Sequence, residues 1–196
     1  MMVFWQQRLA FLATPKTAST AIEAALGALA AVVILRPAAL KHTDATRFEK
    51  FLQPYLSSDR PFEVTALMRE PRAWLGSWYR DRQREDVEPE ESTRDLSFDD
   101  FVRAYCNLDA RPGFADVSSQ AAFLTLPSGG TVQHLFQYER LGDFVRFLED
   151  RLDFEILLPR LNVSPQGDTY LHPGTEALLR QVCARDFALY DLIAAK

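Results

Sequence analysis

Cysteine is scarce in this sequence of 196 residues, with only Cys106 and Cys183. Two are too few for a disulfide framework, and their separation is not that of a metal-binding pair. Histidine is almost as rare: His42, His134 and His172 lie far apart, which argues against a histidine-rich zinc site. No glycine precedes Gly27. Long apolar runs are missing too. The most apolar stretch, Ala24 to Leu35, has twelve residues, against the roughly 20 that cross a bilayer. Arg8 interrupts the N-terminal apolar stretch, so the ordered regions of an export signal are not there. A basic excess is also lacking. The net charge is −5, and a nucleic-acid binder ordinarily carries a positive field. These absences predict a soluble, cytoplasmic protein with no membrane span, no bound metal and no nucleic-acid partner. A local cationic pocket remains compatible with all of them.

What is present is ordinary globular composition, 47% hydrophobic and 25% charged, in a length that suits a single domain over residues 1–196. Base usage is skewed: 18 arginines stand against Lys16, Lys41, Lys50 and Lys196. A lysine within a motif is therefore informative, which draws attention to Lys16 and Lys41.

Arg8 to Ala13 reads as a short buried strand, followed by a turn at Thr14-Pro15-Lys16-Thr17. Ala18 to about Ala31, rich in alanine and leucine, reads as a buried helix. Val32 to Leu35 suits a second short strand. Thr43 to Tyr55 is an amphipathic helix with Phe48, Phe51, Leu52 and Tyr55 at helical spacing. Phe62 to Met68 is the next strand. Pro71 opens a helix to about Gln83. Arg80 to Asp95, with eleven charged residues of sixteen, reads as a solvated loop. Ser97 with Asp100 has the pattern of a capping box before a helix over Phe98 to Tyr105. Val117 to Leu124 reads as a helix, Val132 to Tyr138 as a strand, and Leu141 to Leu152 as a helix. Leu157 to Pro165 is irregular. Thr175 to about Ile193 reads as one long final helix. Strands separated by helices predict an α/β sandwich with a mainly parallel sheet, and such sheets bind ligands at the carboxyl ends of their strands.

Two of those strand ends carry charge. In Thr14-Pro15-Lys16-Thr17-Ala18-Ser19-Thr20 a strand turns into a helix start, where open N–H groups and the helix dipole favour an anion. Lys16 opposes that dipole, which is understandable if an anion is bound. A helix capped by threonine or serine is the alternative. This is not a Walker loop, which needs glycines. In the second, Arg69 ends a strand and Ser77 follows eight residues on, inside the next helix. A guanidinium fork with one hydroxyl can hold a phosphate; pairing of Arg69 with Glu70 is the alternative. Trp74 and Trp78 suit core packing.

Pro15-Lys16-Thr17-Ala18-Ser19-Thr20 resembles the P-K-[TS]-[GA]-[ST]-[ST] loop of sulfotransferases. Arg69 to Arg80 resembles that family's R-[DE]-P-x-x-x-x-x-S-x-Y-R motif. Tyr138-Glu139-Arg140-Leu141 and Leu161-Asn162-Val163-Ser164 resemble two further family segments, Y-E-[DR]-L and L-N-x-S. The resemblance implies a P-loop-like three-layer sandwich with a central, mainly parallel sheet flanked by helices. It also implies transfer of a sulfuryl group from 3′-phosphoadenosine 5′-phosphosulfate to a hydroxyl or amine on a small-molecule or glycan acceptor. Lys16, Thr17, Ala18, Ser19 and Thr20 would hold the 5′-phosphosulfate, and Arg69 and Ser77 the 3′-phosphate. Lys16 would also stabilise the leaving oxygen. The chain departs from the pattern at Ala18, where glycine is usual, and lacks the R-K-G-x-x-G segment of the cytosolic steroid and phenol enzymes. Two other functions fit the same loops: a small-molecule kinase with an atypical phosphate loop, and a degenerate, non-catalytic nucleotide-binding module. For the base, His42 sits after the second strand, near the same sheet edge, and resembles a histidine of carbohydrate-type sulfotransferases; Glu139 is the alternative.

Overall fold

The computed structural model describes residues 1–56, 60–159 and 167–195. In chain order the elements are β1 (Met2–Phe4), β2 (Leu9–Leu12), α1 (Ser19–Leu26), β3 (Val32–Val33), α2 (Ala38–Lys41), α3 (Ala45–Arg47), α4 (Gln53–Leu56), β4 (Glu63–Met68) and α5 (Pro71–Asp81). There follow α6 (Phe98–Cys106), α7 (Gln120–Leu124), β5 (His134–Gln137), α8 (Leu141–Leu152), α9 (Pro173–Val182) and α10 (Ala184–Ala194). The protein is α/β. Its described strands form one five-stranded sheet in the order β3-β1-β2-β4-β5.

The sheet is mixed rather than mainly parallel. β2, β4 and β5 run parallel, but β1 pairs antiparallel with both β2 and β3. The sequence hides β1 because it has only three residues. Its hairpin turn also has no glycine, asparagine or proline; Arg8 takes the left-handed conformation there instead, at φ 52°.

Alternation along the strands sends side chains to both faces. Val3, Ala10, Leu12, Val64, Ala66 and Met68 pack against Phe48, Phe123 and Ile193. Met2, Phe4, Leu9, Phe11 and Leu67 pack against Ile22, Leu26, Phe144 and Leu148. Each fully buried phenylalanine or leucine contributes roughly 1.5–3 kcal/mol. A further cluster joins Trp74, Leu75 and Tyr79 of α5 to Phe98, Phe101 and Val102 of α6 and to Leu179. The capping box forms as expected: the Ser97 hydroxyl accepts from the Asp100 N–H, and the Asp100 carboxylate accepts from the Ser97 N–H.

Three other expectations change. The amphipathic helix is interrupted by a π-helical stretch, Phe48–Leu52. Only Phe48 of its apolar stripe is fully buried, while Phe51 and Tyr55 are 70% and 86% exposed. The final helix breaks at Cys183 into α9 and α10. His134, whose place inside the strand read over Val132 to Tyr138 marks it for the core, is instead half-buried, bonds Glu63 at 2.8 Å and rests on Phe147. Among the described residues, no helix is long and apolar enough to cross a membrane. Leu161-Asn162-Val163-Ser164 lies outside the described residues.

The topology decides where the charged motifs meet. β2 and β4 are adjacent and parallel, with Leu12 opposite Ala66. Their carboxyl ends therefore lie side by side, and Thr14 and Arg69 leave the sheet at one edge.

Candidate functional site

A cavity of about 850 Å³ opens at that edge. Its wall takes Lys16, Ala18, Ser19 and Thr20 from the loop after β2, Arg69 from the end of β4, Ser77 from α5, and His42. Residues separated by more than 60 positions in sequence are thus brought to one surface, as the two motifs predict. Thr17 is the exception. It is fully buried and off the wall, and its hydroxyl donates to the Thr14 carbonyl at 2.9 Å, so the side chain holds the loop closed.

The loop is tightly coiled. Lys16 and Ala18 both adopt left-handed conformations, at φ 65° and φ 60°. Ala18 is the residue before α1, and no side chain caps the helix. The capped-helix alternative therefore does not hold, and the helix start faces the cavity without a protein oxygen in the capping position. An alanine in this conformation costs about 1–2 kcal/mol relative to the right-handed form. Ala18→Gly removes the Cβ that causes the cost, at the expense of a more flexible unfolded chain. We expect A18G to raise stability by up to about 1 kcal/mol in urea denaturation; a lower midpoint would mean that the alanine methyl makes contacts worth more than the strain.

Arg69 is held at its backbone. Its N–H donates to Gln120 Oε1 at 2.9 Å, and its carbonyl accepts from Gln120 Nε2 at 2.8 Å. The guanidinium lies 4.7 Å from the Tyr138 ring centroid and donates to the Lys16 carbonyl at 3.4 Å. Its Nε is buried and bonds no described residue. Glu70 is not its partner: that carboxylate caps α5, accepting from the Ala73 N–H at 2.6 Å. On α5, Ser77, Arg80 and Asp81 are spaced three and four apart, so one helical face carries them to the wall, with Arg84 just beyond the helix end.

The cavity is strongly cationic for a chain of net charge −5. Lys16, Lys41, Arg69, Arg80 and Arg84 line it, with Asp81 as the acid among the lining residues. Asp81 pairs with Lys16 at 3.0 Å. Burial still pulls the Lys16 ammonium below its ordinary pKa, against the opposing pull of Asp81. Lys41 reaches Glu23 at 2.9 Å and the Thr20 hydroxyl at 3.2 Å. Trp78, expected in the core, is half-buried and on the wall. Its ring centroid lies 5.4 Å from the Lys16 ammonium. Tyr138, Leu141, Leu158 and Pro159 make the apolar side.

No protein-family model, curated protein or solved structure matches the chain.

His42 follows α2 and returns to the end of β2, where its Nδ1 lies 2.6 Å from the Ala13 carbonyl. A carbonyl only accepts, so Nδ1 carries the proton and Nε2 holds the free lone pair. Burial, ahead of the neighbouring charges, pushes the His42 pKa below its ordinary value and keeps the ring neutral. Glu139 is engaged elsewhere: it accepts from the Glu70 N–H at 3.0 Å and the Tyr190 hydroxyl at 2.7 Å. It is absent from the cavity wall and acts as a structural carboxylate. His172 is exposed; it caps α9 through a bond from the Gly174 N–H at 3.2 Å.

Sequence reasoning passed over Arg80, Asp81, Arg84 and Tyr138. The i, i+3, i+4 spacing from Ser77 was the available signal for the first two. The charged loop does leave the site, yet it is anchored: Thr93 is fully buried, and its hydroxyl donates to the Tyr79 carbonyl at 2.7 Å.

Proposed function

We propose that the protein is a sulfotransferase of P-loop-like, three-layer architecture, moving a sulfuryl group from 3′-phosphoadenosine 5′-phosphosulfate to an acceptor hydroxyl or amine. The observation that carries this reading is the convergence of two separated cation sets, Lys16 with the uncapped start of α1 and Arg69 with Ser77, on one cavity. A donor with a phosphosulfate at one end and a 3′-phosphate at the other needs two anion sites. Arg69 is on the cavity wall, where its guanidinium is suited to pair with a bound phosphate. The apolar side at Tyr138, Leu141 and Leu158 suits the base.

In this reading Lys16 Nζ leaves Asp81 for the donor and stabilises charge on the phosphate oxygen as the S–O bond breaks. Ser19, Thr20 and the N–H groups of the α1 start hold the same phosphosulfate. His42 Nε2 takes the proton of the attacking hydroxyl or amine as the new bond to sulfur forms, and adenosine 3′,5′-bisphosphate leaves. The first test is thermal: adenosine 3′,5′-bisphosphate at 100 times its dissociation constant should add about 2.7 kcal/mol of stability. A larger shift with ATP and Mg²⁺ would favour the kinase.

A further inference from the structure

Exposed apolar residues concentrate on one flank of the molecule. Phe51 and Tyr55 are 70% and 86% exposed, Leu35 and Leu40 50% and 52%, and Val33 36%. All five belong to residues 33–55, the segment that leaves β3 and returns across the sheet. β3 pairs with β1 on one side and ends the sheet on the other, and an edge strand leaves a row of N–H and C=O groups open. The helical stretch lies beside that edge. Phe48 and Leu52 pack in the cluster that holds Val32 and Ile34. Across this face α10 sits by β5, α7 next to it and α3 beyond. Thr46 turns toward α7, its hydroxyl donating to the Thr125 carbonyl at 3.1 Å. Phe51 and Tyr55, four apart, fall on the side away from α7 and so toward the β3 edge. A regular helix would carry Phe48, Phe51, Leu52 and Tyr55 on one stripe. The wider π turn rotates Phe51 and Tyr55 off it, into solvent.

We infer that this flank docks a second copy of the chain, with the two β3 strands side by side about a two-fold axis normal to the sheet. Symmetry, charge and area all favour that occupant. An isologous interface needs one patch that complements itself. The axis sets β3 antiparallel to β3 and continues the sheet across both copies. It also sets the two helical stretches antiparallel on the same face. With Phe51 opposite Phe51, Arg47 of one copy meets Tyr55 of the other, a cation over a ring. Arg47 is exposed and pairs with Asp44 within its own turn at 3.5 Å. Residues 44–55 balance Asp44 and Glu49 against Arg47 and Lys50, so two copies meet without the like-charge penalty that a net charge of −5 would otherwise set. Aromatic side chains bury about 150–250 Å² each, so at these exposures the pair supplies roughly 250–400 Å² per copy. That is about a third to a half of the roughly 800 Å² per partner of a standard interface. Leu35, Leu40, Val33 and the β3 edge extend it, and homodimer interfaces are the more apolar ones.

Light scattering on the full chain across a concentration series tests this. The wild-type chain should be a dimer. Phe51→Lys and Tyr55→Lys each place an unpaired charge in the interface, and each should raise the dimer dissociation constant at least about 30-fold, the scale of an interface hot spot. Both positions are exposed, so the variants should keep the wild-type circular dichroism spectrum. Leu192→Lys, exposed on α10 at the β5 end of the sheet, should leave the dimer intact. The axis has a signature of its own. Phe51→Cys brings two thiols face to face, and oxidation by copper–phenanthroline should link two copies through a disulfide that dithiothreitol breaks; Leu192→Cys should not link. A wild-type chain that stays monomeric throughout would overturn the inference and leave the flank to a different protein. A dimer that survives both lysine variants, or one that Phe51→Cys does not link, would overturn it as well. None of these readouts requires a nucleotide, so the result stands apart from the donor reading.

Discussion

His42→Ala should lower turnover by about 10²–10⁴-fold while leaving donor affinity nearly unchanged. The side chain is fixed by the 2.6 Å contact of Nδ1 with the Ala13 carbonyl, which leaves Nε2 as the base. His42→Gln should not restore the rate, because an amide hydrogen-bonds but does not take up a proton. The pH profile gives an independent reading. The base works only when neutral, and burial lowers its pKa. The acid limb of turnover should therefore have its midpoint below about 6.5, the ordinary histidine value. The same shift affects stability. Between about pH 6.5 and the lower folded pKa, the unfolded chain takes up a proton that the folded chain refuses, so stability falls as pH drops through that window. His42→Ala should abolish this component. A variant with full turnover would return His42 to a purely structural tie between α2 and β2.

Lys16→Ala should cut turnover by about 10²-fold or more, the scale for loss of a preorganised donor to developing charge. Folding should change little, because the ammonium is at the cavity wall and its ion pair with Asp81 is partly exposed. Asp81 gives the account a second handle. It pairs with Lys16 at 3.0 Å, so on the proposed function the phosphosulfate engages Lys16 by displacing a carboxylate. Asp81→Asn removes that competitor and should tighten donor binding several-fold, the opposite direction from Lys16→Ala. If both variants weakened binding equally, the pair would be a structural strut rather than a displaceable contact.

The sequence was legible where local chemistry and tertiary structure agree. β4 announced itself through an apolar run ending at Arg69, and α5 through Pro71 at its first position. The capping box at Ser97 and Asp100 needed nothing beyond four residues. β1 was illegible because three residues carry no period, and because Arg8 supplies a positive φ that a reader assigns to glycine. The π stretch at Phe48–Leu52 defeats a periodicity argument by construction, since it rotates the following residues off the apolar stripe.

The site followed the same division. Lys16, Ser19, Thr20 and Arg69 could be named because each sits at a strand end or helix start where the backbone itself predicts an anion site, and Ser77 because it follows Arg69 by eight residues on the adjoining helix. Their meeting depended on β2 and β4 being adjacent and parallel, which no local pattern states. Thr17 looked equivalent to its neighbours, and only its bond to the Thr14 carbonyl distinguishes it. Arg80 and Asp81 were read with the charged stretch that follows, although their spacing from Ser77 already puts them on its face of α5; Arg84 lies beyond the helix end, where no local period places it.

The most direct test of the central claim, that two anion sites in one cavity read both ends of a bisphosphate nucleotide, is calorimetric titration of the wild-type chain with adenosine 3′,5′-bisphosphate and with AMP. AMP lacks the 3′-phosphate and leaves Arg69 without its partner, so the account predicts that it binds about 10- to 100-fold more weakly, the equivalent of roughly 1.5–3 kcal/mol for a charged hydrogen bond. Equal dissociation constants for the two nucleotides would contradict it.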